Sequence, residues 1–271
     1  MPEGTPQIAT LPDGTEIHFE THGTLGNPAI FLGPHFFMSR SAEDSAFTDA
    51  WVEGLRHEFL LIVADYPRGI GKTGHPLGLA YSPSIAVQEC NCIVDAAGVR
   101  QFAWLGYSYG AALGIQLACR TERVVAVAAG GFPPVNAPFG ALIDILMNAA
   151  EAPDIPAKER SMYLTAVGFY RPLLEWPEHP RIRELKIPRL VFMGDCDRAQ
   201  GLPHGASLPL ADALRTSEND LRELGWQIRW LPGEDHASAI RPEVSFSAVY
   251  EFFKKSLGAR AATQGDVSAG R

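Results

Sequence analysis

Short runs of apolar residues recur along the chain, separated by longer stretches whose apolar positions fall at helical spacing. Ala29–Leu32 and Leu60–Ala64 are continuous apolar runs, the pattern of parallel strands buried on both faces. Gln101–Leu105, Val124–Ala129, Arg189–Met193 and Gln227–Leu231 continue the series. Thr15–His22 instead alternates apolar and polar positions, which predicts an antiparallel edge strand with one wet face. Helical patterns cover Ala42–Arg56, Ser84–Ala97, Tyr109–Arg120, Leu210–Leu224 and Pro242–Leu257. Pro242 suits a first helical turn, where its missing N–H costs nothing. Strands alternating with helices predict an α/β protein with a mostly parallel central sheet flanked by helices on both sides.

One stretch breaks the rhythm. Residues 133–187 begin at Pro133-Pro134 and end before Pro188, with helical patterns at Ala141–Ala150 and Ser161–Leu174. A segment of roughly 55 residues rarely carries a core of its own. It therefore reads as a small helical lid inserted into a core made of residues 1–132 and 188–258. Residues 259–271 are small and polar, which predicts a frayed, disordered tail.

With 271 residues, 46% hydrophobic and 20% charged, the chain has ample material for a sizeable core. A net charge of −8 without a basic block argues against nucleic-acid or anionic-membrane partners. The opening Met-Pro-Glu-Gly-Thr-Pro lacks both the basic and the apolar part of a signal peptide, and no apolar run approaches the ~20 residues that span a bilayer. The four cysteines, Cys90, Cys92, Cys119 and Cys196, suggest no disulfide framework. Cys90 and Cys92 sit two apart on a predicted helix and face different ways. A reduced, cytoplasmic setting is the expectation, with a small-molecule substrate as partner; nothing in the sequence speaks to oligomeric state.

The candidate chemistry begins at Gly106-Tyr-Ser-Tyr-Gly110, which follows a predicted strand and precedes the small, apolar run Ala111, Ala112, Leu113, Gly114, Ile115. Strand, Gly-x-Ser-x-Gly, helix is the context of a nucleophile elbow, a turn so tight that its neighbours at ±2 must lack bulk. The following helix points its positive end at the serine oxygen. A serine hydroxyl needs a base to remove its proton, and the base needs a third group to orient it. Asp197 follows the strand Arg189–Met193 in Gly194-Asp-Cys-Asp-Arg198, and His236 follows Gln227–Leu231 in Pro232-Gly-Glu-Asp-His236. Ser108, Asp197 and His236 thus fall at carboxyl ends of strands, the edge where open α/β sheets gather their sites. Asp195 is the rival acid, and Asp235 adjoins the histidine too closely to reach back to its ring. The remaining histidines lie on the edge strand, after a helix or in loops; no metal and no cofactor is expected.

From about Thr15 to Leu257 the chain resembles the α/β-hydrolase-fold serine hydrolases. Asp65-Tyr-Pro-Arg-Gly-Ile-Gly-Lys-Thr73 resembles the family's D-x-x-G-x-G-x-S loop, Gly194-x-x-Asp197 its acid loop and Gly233-x-x-His236 its histidine loop. The resemblance implies Ser108 as nucleophile, His236 as general base and then acid, and Asp197 as the group that orients His236. It also implies an oxyanion hole with the backbone N–H of Tyr109 as one donor. The family's usual His-Gly turn for the second donor is replaced here by Gly33-Pro-His-Phe-Phe-Met38. Counting from the strand end puts that donor at His35; allowing for the Gly-Pro bend puts it at Phe36. Pro34 has no N–H to give. The side chains of His35, Phe36 and Phe37 are expected in the pocket wall or in structural roles.

These residues predict hydrolysis of a small, largely apolar ester, thioester, lactone or amide through an acyl-enzyme on Ser108. The same three residues serve C–C bond hydrolases and cofactor-free perhydrolases of similar sequence, and a non-catalytic ligand-binding protein on this fold is the reading outside catalysis. Phe139, Leu142, Ile145, Leu146, Met147, Tyr163, Phe169 and Tyr170 are the lid residues offered to an apolar pocket, with Arg160 and Arg171 the nearest lid cations.

Overall fold

The apolar runs become strands, every residue of which is buried except in the run Gln227–Leu231, where only Leu231 is fully buried. The computed structural model describes residues 4–34, 36 and 42–268. Its strands are β1 (Thr5–Thr10), β2 (Glu16–His22), β3 (Ala29–Leu32), β4 (Leu60–Ala64), β5 (Phe102–Tyr107), β6 (Val124–Gly130), β7 (Arg189–Gly194) and β8 (Gln227–Leu231). They form one eight-stranded sheet in the order β1-β2-β4-β3-β5-β6-β7-β8. All pairings from β4 to β8 are parallel, while β1 and β2 join antiparallel at one edge. The mostly parallel sheet expected from the sequence is therefore present. β1 is an addition: Thr-Pro-Gln-Ile-Ala-Thr is largely exposed, so no apolar run announces it.

Side chains alternate across the sheet as the period of two requires. On β5, Phe102 and Trp104 enter one core cluster with Phe31 and Ile62; Ala103, Leu105 and Tyr107 enter the other with Ile30 and Leu32. Helices α1 (Ala42–Leu55) and α8 (Pro242–Ser268) cover the second face through Trp51 and Phe253. Helices α2 (Pro83–Ala96), α3 (Tyr109–Ala118) and α7 (Leu210–Glu223) cover the first through Cys90, Leu113 and Leu214. The Ser82 hydroxyl accepts from the Ile85 N–H at 3.3 Å and Pro83 occupies the first turn, which starts α2 at an N-cap. α8 runs past the expected end at Leu257, through most of the segment expected to fray.

Residues between β6 and β7 form α4 (Phe139–Ala150), α5 (Ala157–Tyr170), a 3₁₀ turn at Arg171–Leu174 and α6 (Glu178–Glu184). Leu142, Ile143 and Leu146 of α4 and Val167, Phe169 and Tyr170 of α5 are buried in the first core cluster. Burying each such side chain is worth about 1.5–3 kcal/mol, so the insert is held by the main core. α6 carries one buried residue, Ile182, which leaves no apolar stripe to read in the sequence. Among the described residues no helix is long and apolar enough to cross a membrane.

From β3 the chain turns through α1 to β4 on one side; from β4 it returns through α2 to β5 on the other side of β3. Strand order reverses there, and the crevice beyond the carboxyl ends at such a reversal is where open α/β sheets hold ligands. Ser108 stands at that point.

Candidate active site

Ser108 links β5 directly to α3 with φ 50° and ψ −117°, a conformation that costs a residue with a Cβ about 1–3 kcal/mol. The surrounding contacts enforce it. The Ser108 N–H donates to the Gly130 carbonyl at 2.8 Å, and its own carbonyl accepts from Ala111 and Ala112 at 3.0 and 3.1 Å. A Cβ at Gly106 would run into the Gly110 carbonyl, and one at Gly110 would lie 2.6 Å from the Pro34 carbonyl oxygen. The buried Trp104 indole donates to the Gly110 carbonyl at 2.8 Å, so the turn is tied from below as well.

His236 Nε2 lies 3.0 Å from Ser108 Oγ. Its Nδ1 lies 2.8 and 3.0 Å from the two oxygens of Asp197, whose side chain is fully shielded from solvent. A carboxylate on Nδ1 favours the tautomer with the proton there, which leaves Nε2 bare to accept the serine proton. Asp197 Oδ1 also accepts the Ala199 N–H at 2.8 Å. The acid and histidine loops are stitched together: the Asp195 N–H donates to the Leu231 carbonyl at 3.1 Å and the Cys196 N–H to the Glu234 carbonyl at 3.0 Å.

The two rival acids do other work. Asp195 Oδ1 accepts the Gly233 N–H at 2.8 Å, fixing the start of the histidine loop. Asp235 Oδ1 accepts from Ala237 and Ser238 at 3.0 and 2.8 Å. The Ser238 N–H, followed by its hydroxyl, holds the Asp235 carboxyl below the usual carboxylate range.

Tyr109 is the first residue of α3, so its N–H has no partner inside the helix. The turn after β3 divides the two expectations for a second donor. The Phe36 N–H donates to the Gly33 carbonyl at 3.1 Å, so it is already committed. The Phe36 ring is also turned away from the expected pocket wall: it is buried against Phe47 and Trp51, at centroid distances of 5.7 and 5.9 Å. The apolar side chains of the opposite core face draw it there. His35, Phe37 and Met38 lie outside the described residues.

A cavity of about 440 Å³ opens over Ser108 and His236. Leu142, Leu146 and Tyr170 of the insert line it, with Phe132, Leu202 and Leu208 from the loops. Phe139, Ile145, Met147 and Phe169 pack into the core instead, and neither Arg160 nor Arg171 lines the cavity. Burial pushes the Tyr107 and Tyr109 phenols well above their ordinary range, which keeps both neutral. Among the described residues no group of three or more His, Cys, Asp or Glu side chains could hold a metal ion.

Two contacts are not foreshadowed by the motifs, one from Gln200 and one from the side chain of Tyr107 within the elbow. Gln200 accepts from the His236 N–H at 3.2 Å and the Arg198 N–H at 3.0 Å, and donates to the Cys196 carbonyl at 3.1 Å. The Tyr107 hydroxyl donates to the His236 carbonyl at 2.7 Å. Both clamp the histidine loop through its backbone, which only the assembled sheet reveals.

No protein-family model matches the chain. Over 111 residues it is 28% identical to the "Putative carbamate hydrolase RutD" of Agrobacterium fabrum, a match that spans 40% of each chain. Its structure superimposes on an alpha/beta hydrolase from a Medee basin deep-sea metagenome library with a TM-score of 0.65 and 17% identity, covering 91% of this chain and 95% of that one. The enol-lactonase of Burkholderia xenovorans LB400 gives a TM-score of 0.64 and 18% identity, over 91% and 99% of the two chains.

Proposed function

We propose that this chain, which has the α/β-hydrolase fold, is a serine hydrolase that cleaves a small, largely apolar ester, thioester, lactone or amide. One observation carries the reading: a single hydrogen-bonded line from Ser108 Oγ through His236 to the buried Asp197, with steps of 3.0 and 2.8 Å. His236 Nε2 takes the Ser108 proton as Oγ attacks the substrate carbonyl carbon. The oxyanion that forms is met by the Tyr109 N–H at the positive end of α3; the second donor expected at His35 lies outside the described residues. Each such donor is worth about 2.7–4 kcal/mol in the transition state. The intermediate collapses as His236 hands the proton to the leaving heteroatom, leaving the acyl group on Ser108. Water, deprotonated by the same imidazole, then releases the acid.

The apolar cavity wall favours uncharged, apolar substrates, and the insert of residues 133–187 serves as the lid that excludes water from them. The carbamate in the name of the partial relative is a carbonyl of the same kind and belongs among the substrates to assay. The test is turnover of p-nitrophenyl esters and lactones by the wild-type chain and by Ser108→Ala. The reading expects measurable hydrolysis that Ser108→Ala abolishes while its circular dichroism stays native. Hydrolysis retained by Ser108→Ala would sink the assignment.

A further inference from the structure

Tyr170 is the last residue of α5 and lines the cavity over Ser108 beside Phe132, Leu142 and Leu146. Four aromatic rings pack around its own: Phe132, Phe139, Phe169 and Tyr109 lie at centroid distances of 6.2, 5.8, 5.4 and 5.8 Å. Only 3% of the residue is exposed. Phenylalanine would fill that place equally well, so ring packing does not account for the hydroxyl.

The Tyr170 hydroxyl has no hydrogen-bond partner among the described residues. Burial alone acts on it, holding the phenol well above its ordinary range and therefore protonated. The other polar side chains of the cavity wall are engaged. Tyr107 donates to the His236 carbonyl, Gln200 bridges Cys196 and His236, and the His236 ring joins Ser108 to Asp197. The Tyr109 oxygen is sealed in the core beside Tyr81. The Tyr170 oxygen is not sealed: it keeps contact with open space, and the space its residue lines is the cavity.

A buried, rigidly held and unpaired donor in an apolar wall favours a ligand that brings an acceptor to it and disfavours one that does not. We propose that the Tyr170 hydroxyl donates to an uncharged oxygen, an ether or a carbonyl, which the substrate carries in addition to its scissile carbonyl; the inference rests on the serine-hydrolase reading for its substrate. It narrows the substrate class from apolar carbonyl compounds to those with one further neutral oxygen. Neutrality follows from the wall, which holds no lysine or arginine among its described residues. A carboxylate placed there would be buried without a counter-charge.

The experiment measures kcat/KM for p-nitrophenyl esters in carbon-matched pairs: methoxyacetate against butanoate, 3-methoxypropanoate against pentanoate, and 4-oxopentanoate against 4-methylpentanoate. A fourth pair, 4-acetylphenyl against 4-isopropylphenyl acetate, puts the extra oxygen in the leaving arm. Each oxygen-to-carbon ratio is compared between wild type and Tyr170→Phe, so differences in intrinsic reactivity cancel. Tyr170→Phe is expected to lower the ratio about tenfold in at least one pair, the scale of one neutral hydrogen bond. Its melting temperature should equal or exceed that of wild type, because the lost hydroxyl has no partner in the fold. Ratios unchanged in every pair overturn the inference. So does a lowered melting temperature, or a preference for the anionic p-nitrophenyl hemisuccinate over the isosteric 4-oxopentanoate. Calorimetric titration of Ser108→Ala, with and without Tyr170→Phe, with ethyl 4-oxopentanoate and ethyl 4-methylpentanoate makes the same comparison without turnover. Absence of turnover on every ester would sink the hydrolase reading alone. The two Kd values then decide whether Tyr170 selects a ligand oxygen, and a Kd ratio that Tyr170→Phe leaves unchanged overturns that.

Discussion

The Tyr107 hydroxyl donates to the backbone carbonyl of His236 at 2.7 Å, joining the residue before Ser108 to the loop that presents the imidazole. β5 and β8 are separated by two strands, so this bond spans the sheet edge that carries Ser108 and His236. The two rings lie 5.2 Å apart, and Tyr107 is buried. Position of Ser108 and position of His236 are thereby coupled.

Tyr107→Phe keeps the ring and removes the donor. A carbonyl that is fully buried and left without its partner costs about 1–3 kcal/mol; the part-buried His236 carbonyl should cost less, and that cost falls on the placement of His236. The variant is expected to lose roughly tenfold in kcat, equal to about 1.4 kcal/mol, with KM little changed. Steady-state kinetics on one ester decide it; an unchanged kcat would show that the bond does not position the histidine.

The choice between the two acidic residues of the loop is open to direct test. Asp197→Asn should preserve the fold but favour the wrong imidazole tautomer, lowering kcat by on the order of 10⁴, as in serine-protease triads. Asp195→Asn keeps an acceptor for the Gly233 N–H and should retain most activity. Kinetics of the pair side by side check both, and the reverse ranking would overturn the assignment.

Much of this arrangement was legible in the sequence because it is local. Near-continuous apolar runs pointed to β3 through β7, since strands buried on both faces admit few polar positions, here Arg189 at the start of β7. The elbow and the two loops carried Ser108, Asp197 and His236 through fixed spacing. What sequence could not supply depends on distant chain segments. The polar β1 exists only because β2 offers it a ladder, and α6 has a single buried residue to announce it. Phe36 turned toward Trp51 rather than the pocket because the opposite core face lay within reach. Gln200 and Tyr107 act on the histidine loop through backbone atoms, which leave no residue pattern.

The elbow should be intolerant of bulk. Gly110→Ala places a methyl group 2.6 Å from the Pro34 carbonyl oxygen, a backbone atom that cannot swing aside. Overpacking of this kind costs about 1–3 kcal/mol, and relief would move the elbow or the turn at Pro34 that it packs against. Both melting temperature and kcat are expected to fall. A variant with wild-type values of both would show that the close approach is unimportant.

Acid stability should depend on Asp13. The Thr15 N–H, followed by the Arg68 guanidinium, lowers its carboxyl from 3.8 to about 2. A folded-state value below the unfolded one means stabilisation that is complete above pH 3.8 and lost as pH falls toward 2. Asp13→Asn should therefore melt below wild type near neutrality, with the gap closing across that window. The side chain is about half exposed, so the effect should be small and weaken with salt. Thermal melts at a series of pH values test the sign; a gap that widens on acidification contradicts it.

The central claim, that Ser108 is the activated nucleophile, is tested most directly by peptide mass mapping of the folded chain after treatment with a fluorophosphonate probe. The account predicts one adduct, on Ser108, that disappears in Ser108→Ala and forms far more slowly in His236→Ala. A folded wild-type chain that takes up no probe, or an adduct that persists unchanged in Ser108→Ala, would contradict it.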